Sequence, residues 1–428
     1  MSNRMAGSEL PGTVARRNYY LLILDGIFFY IGQAFWEPTS VVPAFVAAVT
    51  GSELMVGLVS TVRYGLWLGP QLLVAHYVER LPYKKGVALA AVAVNRLAIL
   101  LIAVSTYVLW PNTQLLTVVF FALYIIVWLG EGITSVPWTD ILGRATDPRR
   151  RGALIGTMQC IGGLGAFASG MIVARILSSD ALVFPNNYAL LFLIAAIITS
   201  FCAVAFFFVV EPPSRALKRR EPMMTYVRSV PGLLTGNALY RDAVITRVMG
   251  ASIFLSMPFY AVHARNLGVS AAYLGAFVSA QMLGSTVGGP ILGRISDTKG
   301  NRLVILITLS CTMLAPVLCL LATFIGGPLR VVLFLFVFAC LGIFGSGSWM
   351  GFVNYIIDCT PEDRRPTYLG AVNTIIAPTT LLPVVGGVIV RRFGYVSLFA
   401  ITAALLFAAV LWGRRLKEPR HIERGIPI

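Results

Sequence analysis

TDPRRRGALIG (Thr146–Gly156) and TPEDRRPTYLG (Thr360–Gly370) stand 214 residues apart, and how this pair is read decides the fold. Each begins on threonine, passes through a proline and a knot of charge to adjacent arginines, and ends on glycine. Each also follows one long apolar run and opens another. A pattern that returns at the same place in two halves of a chain marks an internal repeat.

Outward from the pair, the composition identifies the solvent. Hydrophobic residues make up 57% of the chain and charged ones 12%, with a mean hydropathy of +0.80. A soluble chain of this size carries about twice that charge. Apolar runs of roughly 20 residues, enough to cross a bilayer, recur along the whole length. They do not alternate as barrel strands would, and helices satisfy their own backbone in lipid. The expected fold is therefore an all-α polytopic membrane protein with twelve spans. We place these at 19–47, 54–78, 85–109, 114–141, 152–177 and 186–210, then 240–264, 270–293, 302–325, 329–355, 367–390 and 395–414. The first, fourth and tenth exceed a minimal span and are expected to tilt or bend.

Lys and Arg crowd alternate turns: Arg80, Lys84 and Lys85; Arg144 and Arg149 to Arg151; Arg294, Lys299 and Arg302; Arg364 and Arg365. The positive-inside rule then puts both termini in the cytoplasm. The segments expected are an N-terminal segment 1–18, a six-span half 19–210, a cytoplasmic linker 211–239, a second half 240–414 and a tail 415–428. The net charge of +16 is mostly this topology signal, with attraction to anionic membrane lipid, and nucleic acid is not an expected partner. The first apolar run is too long for a cleavable signal peptide. Six cysteines without metal spacing read as reduced packing residues. No metal site, cofactor or catalytic constellation is expected, and the absence of a GxxxxGK loop argues against ATP hydrolysis.

A second signature follows the eighth span, GRISDTKGNR (Gly293–Arg302). Here Gly293 permits close helix approach, Asp297 can cap the next segment or pair with a base, and Gly300 allows a tight reversal. The turn after the second span reads AHYVERLPYKK (Ala75–Lys85), with Glu79 and Arg80 placed for an acid–base pair. At these residues the chain resembles the major facilitator superfamily, over nearly its whole length. Gly293, Asp297, Gly300 and Arg302 match the family's loop signature, while Ala75, Glu79 and Pro82 replace its Gly, Asp and Gly in the first half. The resemblance implies two pseudo-symmetric halves, alternating access and transport of a small solute, with the signature residues as conformational latches. PTSVVPAFV (Pro38–Val46) is similar to the end of the first span in the drug:proton antiporter branch. The fourth span has Glu131 where that branch carries an arginine followed by Gln-Gly, and the fifth, IGGLGAFASG (Ile161–Gly170), lacks its Gly-Pro.

Chemistry is sought among charges inside the spans, because an ionised group at bilayer depth must pair or face a cleft. Glu131 lies between Gly130 and Gly132. Setting LGEGITS (Leu129–Ser135) against FGSGSWM (Phe344–Met350) pairs it with Ser346, so the glycines read as shared packing and the carboxylate as particular to the first half. Asp25 is placed about 9 Å from the cytoplasmic start of the first span. These two are the candidate proton-coupling acids. A carboxylate that alternates between an apolar setting and an arginine would load and release a proton, and a fixed ion pair of Glu131 with Arg96 or Arg63 is the competing reading. Arg63, Arg96 and Arg247 stay charged and can only pair with a carboxylate or hold an anion. Gln33, Asn95, Gln159, Gln281, Asn373, Tyr30, Tyr64, Trp67 and Trp128 could complete a cleft. Glu37 reads as interfacial and His263 and Arg265 as solvated mouth residues. Asp140 with Arg144, and Asp358, read as gate or fold pairs where spans four and ten leave the membrane.

The expected function is proton-coupled secondary transport by a monomer in a bacterial-type inner membrane, with export of a drug-like or metabolite solute first. The partners are a small-molecule substrate, protons and membrane lipid. Three arginines against two acids motivate an alternative, proton-linked uptake of a small organic anion. A non-transporting sensor or lipid-handling protein on the same scaffold is the alternative from another class. The sequence carries no enzyme signature.

Overall fold

The structure, a computed structural model, describes residues 11–78, 81–146, 150–213, 232–361 and 365–419. Among them it is all-helical, without a strand. The helices in chain order are α1 (Gly12–Ala34), α2 (Val41–Thr50), α3 (Glu53–Val78), α4 (Lys85–Val108), α5 (Thr113–Ala145), α6 (Arg151–Leu177) and α7 (Asn186–Phe207). There follow α8 (Ala238–Gly250), α9 (Phe259–Asn266), α10 (Tyr273–Lys299), α11 (Asn301–Phe324), α12 (Gly327–Asp358), α13 (Arg365–Ile376) and α14 (Leu382–Gly413). Among the described residues, eight helical stretches are long and apolar enough to cross a membrane: Lys85–Val108, Thr113–Ala145, Ala153–Leu177, Asn186–Phe207, Ala238–Asn266, Asn301–Phe324, Gly327–Asp358 and Tyr368–Gly413.

Helix α4 shows how the sequence meets two apolar surroundings at once. Asn95, Ala98, Ile99 and Ile102 are buried, while Val94, Leu97, Leu101, Val104 and Val108 form an exposed stripe at helical spacing. A helix that is hydrophobic all round belongs in lipid or a deep core. Helix α5 starts at Asn112, whose side chain accepts from Leu115 N at 3.0 Å, a side-chain cap for an otherwise orphan donor. Its 33 residues make it roughly 50 Å long at 1.5 Å per residue.

The expected first span is corrected at both ends. Its helix begins at Gly12, not 19, and stops at Ala34, with Phe35–Ser40 non-helical before α2. Asp25 thus stands roughly 20 Å along α1 from its first residue. Two other helices also change character partway. Ala251–Leu255 and Ala377–Leu381 are 3₁₀ turns joining α8 toward α9 and α13 to α14. Gly394, at φ 79°, breaks α14 internally where a reversal between the last two spans is expected.

The chain forms two compact units. The first holds Met1–Trp36, Leu66–Ala166 and Phe184–Arg220. One of its apolar centres gathers Leu22, Ile141, Leu142, Leu154, Met158 and Phe206. The second holds Glu37–Gly65, Phe167–Val183 and Glu221–Ile428, with centres around Tyr240, Ile356 and Val372 and around Ile305, Leu309 and Tyr355.

Candidate functional site

In the first unit, packing of α4 against α5 sets the chemistry. A Cβ on Gly130 would stand 3.2 Å from Asn95 Cβ and 3.3 Å from Ala91 O, so the small residue lets the helices close. That closeness brings Glu131 Oε1 within 2.9 Å of Asn95 Nδ2 and 3.0 Å of Arg96 Nη1. Arg96 also donates from Nη1 to Asn95 Oδ1 at 3.0 Å and from Nε to Thr199 O on α7 at 3.0 Å. The glutamate between two glycines is therefore ion-paired, and its partner is Arg96. Neither side chain is sealed off, with 11% of Arg96 and 16% of Glu131 exposed.

Asp25 reaches the same cavity from α1. It is buried and accepts from Trp138 Nε1 at 2.7 Å. Among the described residues no cation forms an ion pair with it. The cavity measures about 290 Å³ and is lined by Asp25, Arg96 and Glu131, by Phe29, Tyr30, Trp67, Trp138 and Phe206, and by Met158 and Cys202 among others. Two carboxylates face one guanidinium. With all three ionised the cavity carries one net negative charge, and five of its lining side chains are aromatic, beside the hydroxyls of Thr134, Ser135 and Thr139.

Arg63 and Arg247 belong to the second unit and do not line the cavity. Arg63 lies over the Tyr64 ring at 4.9 Å and Arg247 over Phe352 at 5.7 Å. Tyr64 Oη donates to Met257 Sδ at 3.4 Å. Of the other polar candidates, Asn95 is buried at the ion pair, Tyr30 lines the cavity, Gln159 is exposed, and Gln33 is half-buried. Asn373 is exposed, and Trp128 is buried and stacks on Trp36 at 5.8 Å.

Gln281, in the second unit, faces Glu37. That residue is 2% exposed, which overturns its interfacial placement: the break after α1 turns it inward, where Thr39 Oγ1 and Gln281 Nε2 meet its Oε1 at 3.1 and 3.3 Å. His263 is likewise buried, 2.8 Å from Thr323 Oγ1 and stacked on Tyr395 at 4.6 Å. Arg265, in contrast, is exposed.

The latch candidates divide. Asp140 pairs with Arg144 Nη2 at 2.6 Å and Lys84 Nζ at 2.9 Å. Arg144 also holds Glu211 at 2.8 Å. Glu211 in turn accepts from the backbone N of Lys84 and Lys85, each at 2.8 Å, capping the N-terminus of α4 with a carboxylate, where the helix dipole favours one. The second unit repeats the device with Glu418, which accepts from Arg302 N at 2.9 Å. Gly300, at φ 91°, leaves no room for a Cβ, which would meet the Glu418 carboxylate at 2.3 Å. Asn301 Nδ2 donates to Asp358 at 2.7 Å.

Asp297 is exposed and the cap over α11 comes from Glu418 in its place. A Cβ on Gly293 would sit an ordinary 3.8 Å from Met350 Sδ, so no close approach depends on it. Glu79 and Arg80 lie outside the described residues. Neither glutamate cap was anticipated, though each half ends its last span on a Glu-Pro pair, Glu211-Pro212 and Glu418-Pro419.

The Major Facilitator Superfamily model matches residues 24–249 and again 243–426. Multidrug resistance protein MdtG of Dickeya zeae (strain Ech586) is 32% identical over 172 residues, 38% of this chain and 40% of that protein. Multi-drug resistance efflux pump PmrA of Streptococcus pneumoniae serotype 4 (strain ATCC BAA-334 / TIGR4) is 28% identical over 194 residues, 42% and 45% of the two chains. The matched stretch spans less than half the length of these curated relatives. Among solved structures, a POT family transporter in complex with thioalcohol conjugated peptide aligns with TM-score 0.69 and 12% identity, over 93% of this chain and 97% of that one. The nucleoside transporter NupG aligns with TM-score 0.68 and 11% identity, over 93% and 98%. At such identities the likeness speaks to the fold.

Proposed function

We propose that this chain, which belongs to the Major Facilitator Superfamily, exports drug-like solutes against a proton gradient, aromatic cations first. It is a multi-pass protein of the cell membrane. The reading extends to twelve spans in two halves, 19–210 and 240–414, with both termini cytoplasmic. The double match of the family model and the basic alternate turns support it.

One observation carries the substrate reading: the cavity of the first unit holds Asp25, Glu131 and a single arginine, with five aromatic side chains in its lining. Aromatic faces and an uncompensated carboxylate attract a flat cation. In this scheme Glu131 stays paired with Arg96 and Asn95, while Asp25, supported by one indole N–H, exchanges its proton for the solute. Opening the cleft to alternate sides would move Asp25 between high and low proton activity. Two relatives named for multidrug resistance and efflux favour the same direction.

The test is proton movement in liposomes loaded with a pH-sensitive dye, triggered by ethidium. Wild type should give an ethidium-dependent proton flux and Asp25→Asn none. Equal flux in wild type, Asp25→Asn and Glu131→Gln would sink the reading.

A further inference from the structure

Three changes of helical character bear on one stretch of α3 in the second unit. Glu37, from the interruption after α1, lies in the electrostatic field of Arg63. Met257, following the 3₁₀ turn Ala251–Leu255, accepts from Tyr64. Thr380, within Ala377–Leu381, stands 3.7 Å from where a Cβ on Gly65 would be. Irregular backbone at membrane depth persists only where protein or a wet cavity satisfies it, and interrupted helices are where transporters hold ions.

The hydrogen count at Glu37 names the ion. Thr39 Oγ1 lies 2.7 Å from Gln281 Oε1 and 3.1 Å from Glu37 Oε1. A hydroxyl has one hydrogen to give, and the shorter contact to Gln281 takes it. The contact between Thr39 and Glu37 then sets two acceptors against each other unless the carboxyl supplies a hydrogen. Burial at 2% exposure favours the neutral acid, since an ionised group there forfeits its hydration. Arg63 favours the carboxylate. The charged and titratable groups facing Glu37 are Arg63 and Tyr64, both from α3. The contribution of α10 is the neutral Gln281.

We propose that Glu37 is a second proton-binding site, separate from Asp25 and Glu131. Protonated, it donates to Thr39, Thr39 donates to Gln281, and the break after α1 is tied to α10. Deprotonated, Glu37 competes for the Thr39 hydrogen and the tie to α10 loosens.

The test is pH-difference infrared spectroscopy on the full chain in liposomes, following the carbonyl stretch of protonated carboxylic acids. A band that vanishes on alkalinisation should persist in the Asp25→Asn/Glu131→Gln double variant and be lost when Glu37→Gln is added to it. Thr39→Val, which keeps the acid and removes its partner, should shift the band and its pH midpoint. Loss of the whole band in the double variant, or a band left unchanged when Glu37→Gln is added to it, would overturn the proposal. If Glu37→Gln does not fold, an unshifted band in Thr39→Val would overturn it instead. Because the double variant silences the first cavity, failure of the Asp25 scheme leaves this outcome readable.

Discussion

Helices α4 and α5 in the first unit and α11 and α12 in the second are the same construction carrying different chemistry. Gly130 closes on Ala91 and Asn95, and Gly347 closes on Thr308, where a Cβ would meet Oγ1 at 2.3 Å. Both pairs of positions are 217 residues apart, 91 to 308 and 130 to 347. That register sets Asn95, Arg96 and Glu131 against Thr312, Met313 and Ser348. Matching Gly130 with Gly345, as the motif text suggests, is off by two, and a Cβ on Gly345 would meet nothing within 4 Å. The repeat thus preserves a close helix approach and changes what stands beside it. In the first unit that approach holds an ion pair, and in the second the three positions are uncharged.

The largest effect expected from breaking this contrast is at Arg96. Arg96→Gln leaves Glu131 buried without its cation and should cost about 3–5 kcal/mol of stability, while Met313→Gln in the second unit should cost far less. Thermal unfolding of both variants in the same detergent would compare them. Adding Glu131→Gln to Arg96→Gln should recover part of the loss, because the uncompensated charge goes with it. Next in size is Trp138→Phe. It removes one hydrogen bond to a charged acceptor, worth about 1.5–3 kcal/mol, and should weaken ethidium-driven proton flux through Asp25 without touching the Arg96–Glu131 pair.

How far the sequence foresaw this differs residue by residue. Helical periodicity and the paired loops place most helices, and depth along the spans already makes Arg96 a candidate partner for Glu131. Trp138 as the partner of Asp25 was not legible. An indole 113 residues away looks like any other apolar filler until the helices are packed. The burial of Glu37 and His263 was hidden for a related reason, since hydropathy counts a residue near a span end as interfacial and cannot see a helix interruption fold it inward. A Gly-x-Gly pair in each half offers two registers, and the contact of Gly347 with Thr308 favours the one that sequence alignment passed over.

The capping glutamates sharpen the comparison at smaller magnitude. Glu418→Gln loses the favourable placement of a carboxylate at the N-terminus of α11 and should cost about 0.5–2 kcal/mol. Glu211→Gln should cost more, because it also loses Arg144 at 2.8 Å. Equal losses would mean the ion pair contributes nothing. Smallest are the glycines. Gly345→Ala should be nearly silent, Gly130→Ala should require Asn95 to give by a few tenths of an ångström, and Gly347→Ala should be the worst of the three. Thermal shifts in that order would confirm the register of 217.

The central claim is that the chemistry of transport sits in the first unit, at Asp25 beside a fixed Arg96–Glu131 pair. The most direct measurement is ethidium-triggered proton flux in liposomes for wild type, Asp25→Asn and Ser348→Ala, each checked for folding. The account predicts flux abolished by Asp25→Asn and unchanged by Ser348→Ala. Flux that survives Asp25→Asn but falls in Ser348→Ala would contradict it.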